Sequence, residues 1–277
     1  AVVSYQTAYL KYYYPVEFMA ALMTSVIENP GKVSEYIYTC RQMGIEILPP
    51  DINKGEGSFS VDNGNIRYGL AAIKSIGKPV IQAILTEREA RGEFKNMKDF
   101  IERLSGKEVN KRTIESFIKS GAFDSLGGTR KQFMVIYVQI LDQVNQERKY
   151  SMTGQMSLFD MVDEDQKAEF DIPLPDVGEY EKETKLAFEK EVLGVYLSGH
   201  PMEEYEEKWR KSISKTTLDF QLVEDTGHTK VLDGAREIIG GMITDKTIKY
   251  TKNNKVMAFV TLEDMLGSVE VVVFPKD

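Results

Sequence analysis

Between Gly69 and Leu85 the chain reads Gly-Leu-Ala-Ala-Ile-Lys-Ser-Ile-Gly-Lys-Pro-Val-Ile-Gln-Ala-Ile-Leu, an order that few backbones accommodate. Pro79 fits the first turn of a helix, because its ring fixes φ and it has no N–H to donate. Ser75 and Gly77 flank Ile76 with small side chains. The stretch therefore predicts a short helix, a tight turn, and a second helix opened by Pro79. A turn of small residues lets successive N–H groups and the N-terminus of the second helix approach a phosphate closely, while Lys74 and Lys78 add charge. Such a contact is independent of sequence, since phosphates position a protein and do not specify bases.

This order is that of a helix-hairpin-helix, with Lys74, Ser75, Ile76, Gly77 and Lys78 as its candidate duplex-DNA contacts. One position departs from the motif. The pattern has glycine on both sides of the hydrophobic residue, and Ser75 stands at the first. A plain helical hairpin packed for stability accounts for the same residues. A degenerate copy follows, with a helix over residues 109–119, a turn at Ser120-Gly121-Ala122-Phe123-Asp124, and a helix over 129–144 that aligns Phe133, Tyr137, Ile140, Leu141 and Val144. Two such hairpins form a unit able to straddle a duplex backbone, although the second is too worn to be assigned a phosphate contact.

Charge qualifies this reading. The 277 residues carry a formal net charge of -8, but residues 67–131 hold 14 Lys and Arg against 8 Asp and Glu, a local balance of +6. Residues 160–207 hold 16 Asp and Glu against 4 Lys, a balance of -12. Partner choice follows the local field, so the first segment can face phosphate and the second cannot. The single cysteine, Cys40, excludes an intramolecular disulfide framework, and no Cys/His cluster is present for a structural zinc. That fits a reducing, cytoplasmic setting. No stretch approaches the ~20 apolar residues that cross a bilayer.

Ahead of the hairpins, residues 5–27 predict two helices, the second opened by Pro15. A third helix over 31–43 should end at Gly44, followed by a short strand at 45–48 stopped by Pro49-Pro50. Two extended runs, 58–61 and 66–68, join through Asp62-Asn63-Gly64-Asn65, which has hairpin chemistry.

After the long helix comes an apolar island in a polar segment, Gln155-Met156-Ser157-Leu158-Phe159. One polar anchor followed by two hydrophobic plugs is the form of a peptide docking motif. A loop whose Leu158 and Phe159 tuck into their own domain accounts for the same residues and is the commoner case. Residues 160–175 are acidic and contain proline, as a linker would. A helix over 180–193 runs into Gly194-Val195-Tyr196-Leu197-Ser198-Gly199-His200-Pro201. His200 stands before a proline without a carboxylate or metal-ligand spacing beside it, which points to a turn buttress.

The end of the chain changes class. Residues 238–244, 256–264 and 268–275 predict strands, with Met265-Leu266-Gly267 as a turn. Lys246, Lys249, Lys252 and Lys255, with Tyr250 among them, are expected in the first loop. A five-stranded OB barrel begins with such a meander, and its first long loop commonly meets single-stranded nucleic acid. The expected fold is mainly α: helices at the start, a tandem helix-hairpin-helix unit, and a partial OB-type β meander at the C-terminus.

Taken in order, these parts resemble the alpha subunit of bacterial DNA polymerase III, the C-family replicative polymerase. Its most specific words here are Ser4-Tyr5-Gln6-Thr7-Ala8-Tyr9-Leu10-Lys11 with Tyr14-Pro15-Val16-Glu17-Phe18; Cys40-Arg41-Gln42-Met43-Gly44-Ile45 with Leu48-Pro49-Pro50-Asp51; Ser120-Gly121-Ala122-Phe123-Asp124; and Leu193-Gly194 with Tyr196-Leu197-Ser198-Gly199-His200-Pro201. The resemblance implies the end of a fingers domain at 1–60, hairpins that bind duplex at 61–150, a clamp-binding motif and acidic linker at 151–178, a connecting helical segment at 179–232, and the start of an OB domain at 233–277. Gln155, Met156, Ser157, Leu158 and Phe159 match the family's sliding-clamp motif at every position. It further implies a DNA-directed DNA polymerase as parent, with DNA, a sliding clamp and other replicase subunits as partners. Tyr5, Gln6 and Lys11 would lie near the incoming nucleotide. The family's catalytic carboxylates hold two magnesium ions in a palm that lies upstream of residue 1, so no catalytic residue and no cofactor is assigned within the chain. A non-catalytic hairpin/OB protein that binds DNA, or a scaffold that binds only the clamp, would share some of these features.

Overall fold

The computed structural model describes residues 2–106, 109–152, 172–222 and 228–276. Helices α1 (Val2–Tyr13) and α2 (Pro15–Ser25) follow one another, with Pro15 in the first turn of α2 as its fixed φ dictates. No residue of α1 is buried, whereas α2 buries Met19, Ala20 and Met23. Asn29 caps α3 (Pro30–Gln42), its side chain accepting the Lys32 N–H at 3.2 Å. The chain leaves α3 through Gly44 at φ +75°, where a Cβ would be strained. Strand β1 (Ile47–Leu48) runs parallel to β3 (Asn65–Arg67), which pairs antiparallel with β2 (Ser60–Asp62). Asn63 and Gly64, at φ 51° and 79°, form the tight turn of this hairpin.

The body of the molecule is helical. Helices α4 (Lys78–Arg91), α5 (Met97–Arg103), α6 (Lys111–Ser120), α7 (Arg130–Met152) and α8 (Lys182–Leu193) share one core that begins with Met19 and ends with Leu197. Helix α5 is absent from the sequence expectations because its seven residues are too few to show a period. Its cap is nonetheless readable, since the Asn96 side chain accepts the Asp99 N–H at 2.8 Å. Phe100 then sits among Phe94, Phe117 and Phe123 at ring-centroid distances of 5.0, 5.7 and 5.0 Å, all edge-on. Helix α7 passes the expected end near Val144, carried by Gln146, Glu147, Arg148 and Lys149, all strong helix formers.

Helix α8 packs against α6, and its Glu189 is 1% exposed. That carboxylate accepts Arg130 Nη1 at 3.3 Å and the N–H groups of Leu197 and Ser198 at 2.9 Å each. Arg130 also pairs with Asp124 at 2.9 Å. Burial works against its charge, but Asp124 and Glu189 outweigh it and raise the guanidinium's pKa.

A short helix, α9 (Glu206–Ser212), leads to the antiparallel meander β4 (Met242–Tyr250), β5 (Val256–Glu263) and β6 (Ser268–Val273). An ion pair between Lys190 and Glu263 joins α8 to this sheet. Strand β4 begins later and ends later than expected. Thr247, Ile248 and Tyr250 keep pairing with Phe259, Ala258 and Val256, so the ladder continues through residue 250. Lys246, Lys249 and Tyr250 therefore lie on a strand, and only Lys252 and Lys255 lie in the turn. The architecture is mainly α with a partial β meander, as the sequence predicts.

Candidate nucleic-acid interface

The first hairpin differs from expectation in its leading element. Residues 70–72 form one 3-10 turn (Leu70–Ala72), because the N–H groups of Leu70 and Ala71 donate to Glu56 and Gly57 across the chain and leave no room for an α-helix. Ile73 and Ile76 are buried, while Lys74, Ser75, Gly77 and Lys78 are exposed. Ser75 has φ +71°. That is the left-handed backbone for which the motif reserves glycine, and serine adopts it here. The turn closes through the Ile76 N–H on the Ile73 carbonyl at 3.3 Å. Gly77 then caps α4, and the N–H groups of Gly77 and Lys78 make no backbone bond among the described residues. Exposed amides at the start of a 14-residue helix form a donor cluster at its positive end.

The hairpin leans on α8. Lys74 donates its N–H to the Val192 carbonyl at 2.8 Å and its Nζ to the Glu191 carbonyl at 3.0 Å. The hydroxyl of Tyr68, 1% exposed, donates to the Leu193 carbonyl at 3.3 Å, and burial raises its pKa. Tyr68 carries no mark of this role in the sequence, where it reads as the last residue of an extended run and nothing more.

The second hairpin is built differently. Gly121 at φ +82° ends α6, and Arg130 and Lys131 at the start of α7 donate their N–H groups to Glu179 at 3.3 and 3.2 Å. A carboxylate of the chain already occupies that helix start. The described end of the expected linker packs here too. The Gln132 amide donates to the Pro175 carbonyl at 2.9 Å, and Ile172 and Leu174 line a cavity of about 190 Å³ with Met97, Phe133 and Ile136.

The remaining candidates lie apart. Tyr5, Gln6 and Lys11 are exposed on α1, with Tyr5, Tyr9 and Tyr13 in a ladder of rings at 6.4 and 4.5 Å. Lys246, Lys249, Tyr250, Lys252 and Lys255 are exposed at the β4–β5 hairpin. Gln155, Met156, Ser157, Leu158 and Phe159 lie outside the described residues. His200 accepts the Met202 N–H on Nδ1 at 3.1 Å and packs edge-on against Tyr196, a turn buttress. Among the described residues no three His, Cys, Asp or Glu side chains gather as a metal site, and no helix is long and apolar enough to cross a membrane.

A model of the helix-hairpin-helix motif matches residues 44–133, the stretch that contains the exposed turn. Along its whole length the chain is similar to DNA polymerase III alpha subunits: 36% identical over 281 residues to that of Mycobacterium tuberculosis H37Rv, covering 99% of this chain and 23% of the relative. The corresponding figures are 38% over 277 residues, 100% and 22% for Thermus aquaticus, and 37% over 278 residues, 100% and 23% for Vibrio cholerae. The chain belongs to the DNA polymerase III alpha-subunit family. It spans less than a quarter of the length of these alpha subunits. The words that carry the alpha-subunit resemblance now have positions: Cys40 and Gly44 close α3, Ser120 to Asp124 form the second turn, and Leu197 and Ser198 bind the buried Glu189.

Proposed function

We propose that this segment holds the primer-template duplex for a DNA-directed DNA polymerase and carries its attachment to a sliding clamp. The observation that supports duplex binding best is the first turn, where Ser75 takes the left-handed backbone and the exposed amides of Gly77 and Lys78 open α4. Lys78 supplies charge beside them, and the local balance of +6 over residues 67–131 favours phosphate. Clamp attachment rests on Gln155-Met156-Ser157-Leu158-Phe159, with Leu158 and Phe159 filling an apolar cleft and Gln155 bonding at its mouth. Modest peptide affinity suffices, because duplex and clamp contacts raise each other's effective concentration, which is the basis of processive synthesis. The exposed Lys and Tyr of the β4–β5 hairpin are a second candidate contact, for single-stranded template, and the meander is the start of an OB domain. Residues 1–60 then serve as the end of the fingers, with Tyr5, Gln6 and Lys11 toward the incoming nucleotide.

Two variants separate the functions. Leu158→Ala with Phe159→Ala should abolish binding to the clamp and leave duplex affinity unchanged. Lys78→Ala should weaken duplex binding, with a shallower salt dependence, and leave clamp affinity unchanged. Loss of both activities in both variants, with melting unchanged, would contradict the modular assignment.

A further inference from the structure

An α-helix leaves its last four carbonyls without intrahelical partners. In α8 these belong to Lys190, Glu191, Val192 and Leu193. The first accepts the Gly194 N–H at 3.1 Å. The other three accept Lys74 Nζ, the Lys74 N–H and the Tyr68 hydroxyl, so all three are capped from the first hairpin. The same helix end is tied to the second hairpin, since Lys119 Nζ lies 2.8 Å from Glu191 Oε1 and Arg130 pairs with Glu189. Gly194 closes the joint at φ +77°, where a Cβ would fall 2.8 Å from Pro30 Cβ.

We propose that the C-terminus of α8 is a clip that fixes the first hairpin turn relative to the second, and that Lys74 and Tyr68 are positioning residues for duplex binding. This rests on the reading of the turn as a phosphate contact, and it gives Lys74 a different role from Lys78. Lys74 spends its ammonium on a helix carbonyl one residue before the turn, whereas Lys78 stands at the N-terminus of α4. Tyr68 carries no charge and is buried, so it reaches DNA only through the geometry it holds.

The test is a titration of labelled duplex DNA with the 277-residue chain between 50 and 200 mM salt, paired with amide hydrogen exchange in the absence of DNA. Lys78→Ala should reduce the slope of log affinity against log salt by about 0.9, one released counterion. Lys74→Met and Tyr68→Phe should weaken binding by about three- to tenfold at every salt concentration, as loss of one hydrogen bond allows, with the slope retained. Lys74→Arg should restore affinity by keeping the donor. Exchange at Ile76, Val80 and Ile81 should quicken in Lys74→Met and Tyr68→Phe. A slope reduced in Lys74→Met as in Lys78→Ala would make Lys74 a phosphate contact and overturn the clip. Unchanged exchange in both variants would overturn it as well, whether or not DNA binds. Absence of duplex binding by the unsubstituted chain, with quickened exchange in the variants, would instead remove the phosphate reading and keep the clip as a fold element.

Discussion

Single residues decide the energetics of this molecule at three places. Ser75 holds φ +71°, a conformation that costs a residue with a Cβ about 1–2 kcal/mol. Ser75→Gly should therefore change stability by no more than about 1 kcal/mol, strain relief being offset by the entropy of glycine, while Ser75→Val should cost about 1–2 kcal/mol; urea melts measure both. Arg130 and Glu189 are 5% and 1% exposed; removing Arg130 strands the Glu189 charge, whereas removing Glu189 leaves Arg130 its partner Asp124. Arg130→Ala should lower stability by about 3–5 kcal/mol in the same assay, and Glu189→Ala by less. His200 has its pKa lowered from 6.5 by burial, then by Lys190 and Arg41. The unfolded chain then binds this proton more readily, so stability is full above pH ~6.5 and falls as pH drops toward the folded value. Melts at pH 7.5 and 5.5 should differ, and His200→Gln should reduce that difference. Ser75 and His200 were legible in the sequence because a motif position and a proline neighbour mark them. Tyr68, Arg130 and Glu189 were not, because each acts on a partner far along the chain, 59 residues away for the Arg130–Glu189 pair.

At the scale of elements, local chemistry carried most of the reading. Proline at the first turn of α2, α3 and α4 and glycine after α3, α6 and α8 bracket the helices as capping physics requires. Where tertiary pairing decides, the sequence was silent or misleading. The segment 70–72 shortens to a single 3-10 turn because strand-like bonds from Glu56 and Gly57 capture its amides, and β4 lengthens because β5 offers it partners. That lengthening spreads the cations Lys246 and Lys249 along an exposed strand, with Lys249 Nζ 4.8 Å from the Phe259 ring centroid. A contact with single strands made by this hairpin should weaken severalfold in Lys246→Ala with Lys249→Ala, read by oligothymidylate titration, while duplex affinity stays constant.

For the whole molecule, the candidate duplex surface is one outcome of a shared core. The basic segment 67–131 and the acidic segment 160–207 meet at α8, whose Glu189 and Glu191 take up Arg130 and Lys119. Charges that read as separate blocks in the sequence are thus partly consumed in holding the fold, and Lys78, exposed at the start of α4, remains available to phosphate. The most direct check is an NMR titration of the isotopically labelled chain with a short duplex of arbitrary sequence. The amides of Ser75, Ile76, Gly77 and Lys78 should shift first and most, and equally for unrelated duplexes. Largest shifts at β4 or α1 with the 75–78 amides unmoved would contradict the turn as the duplex contact.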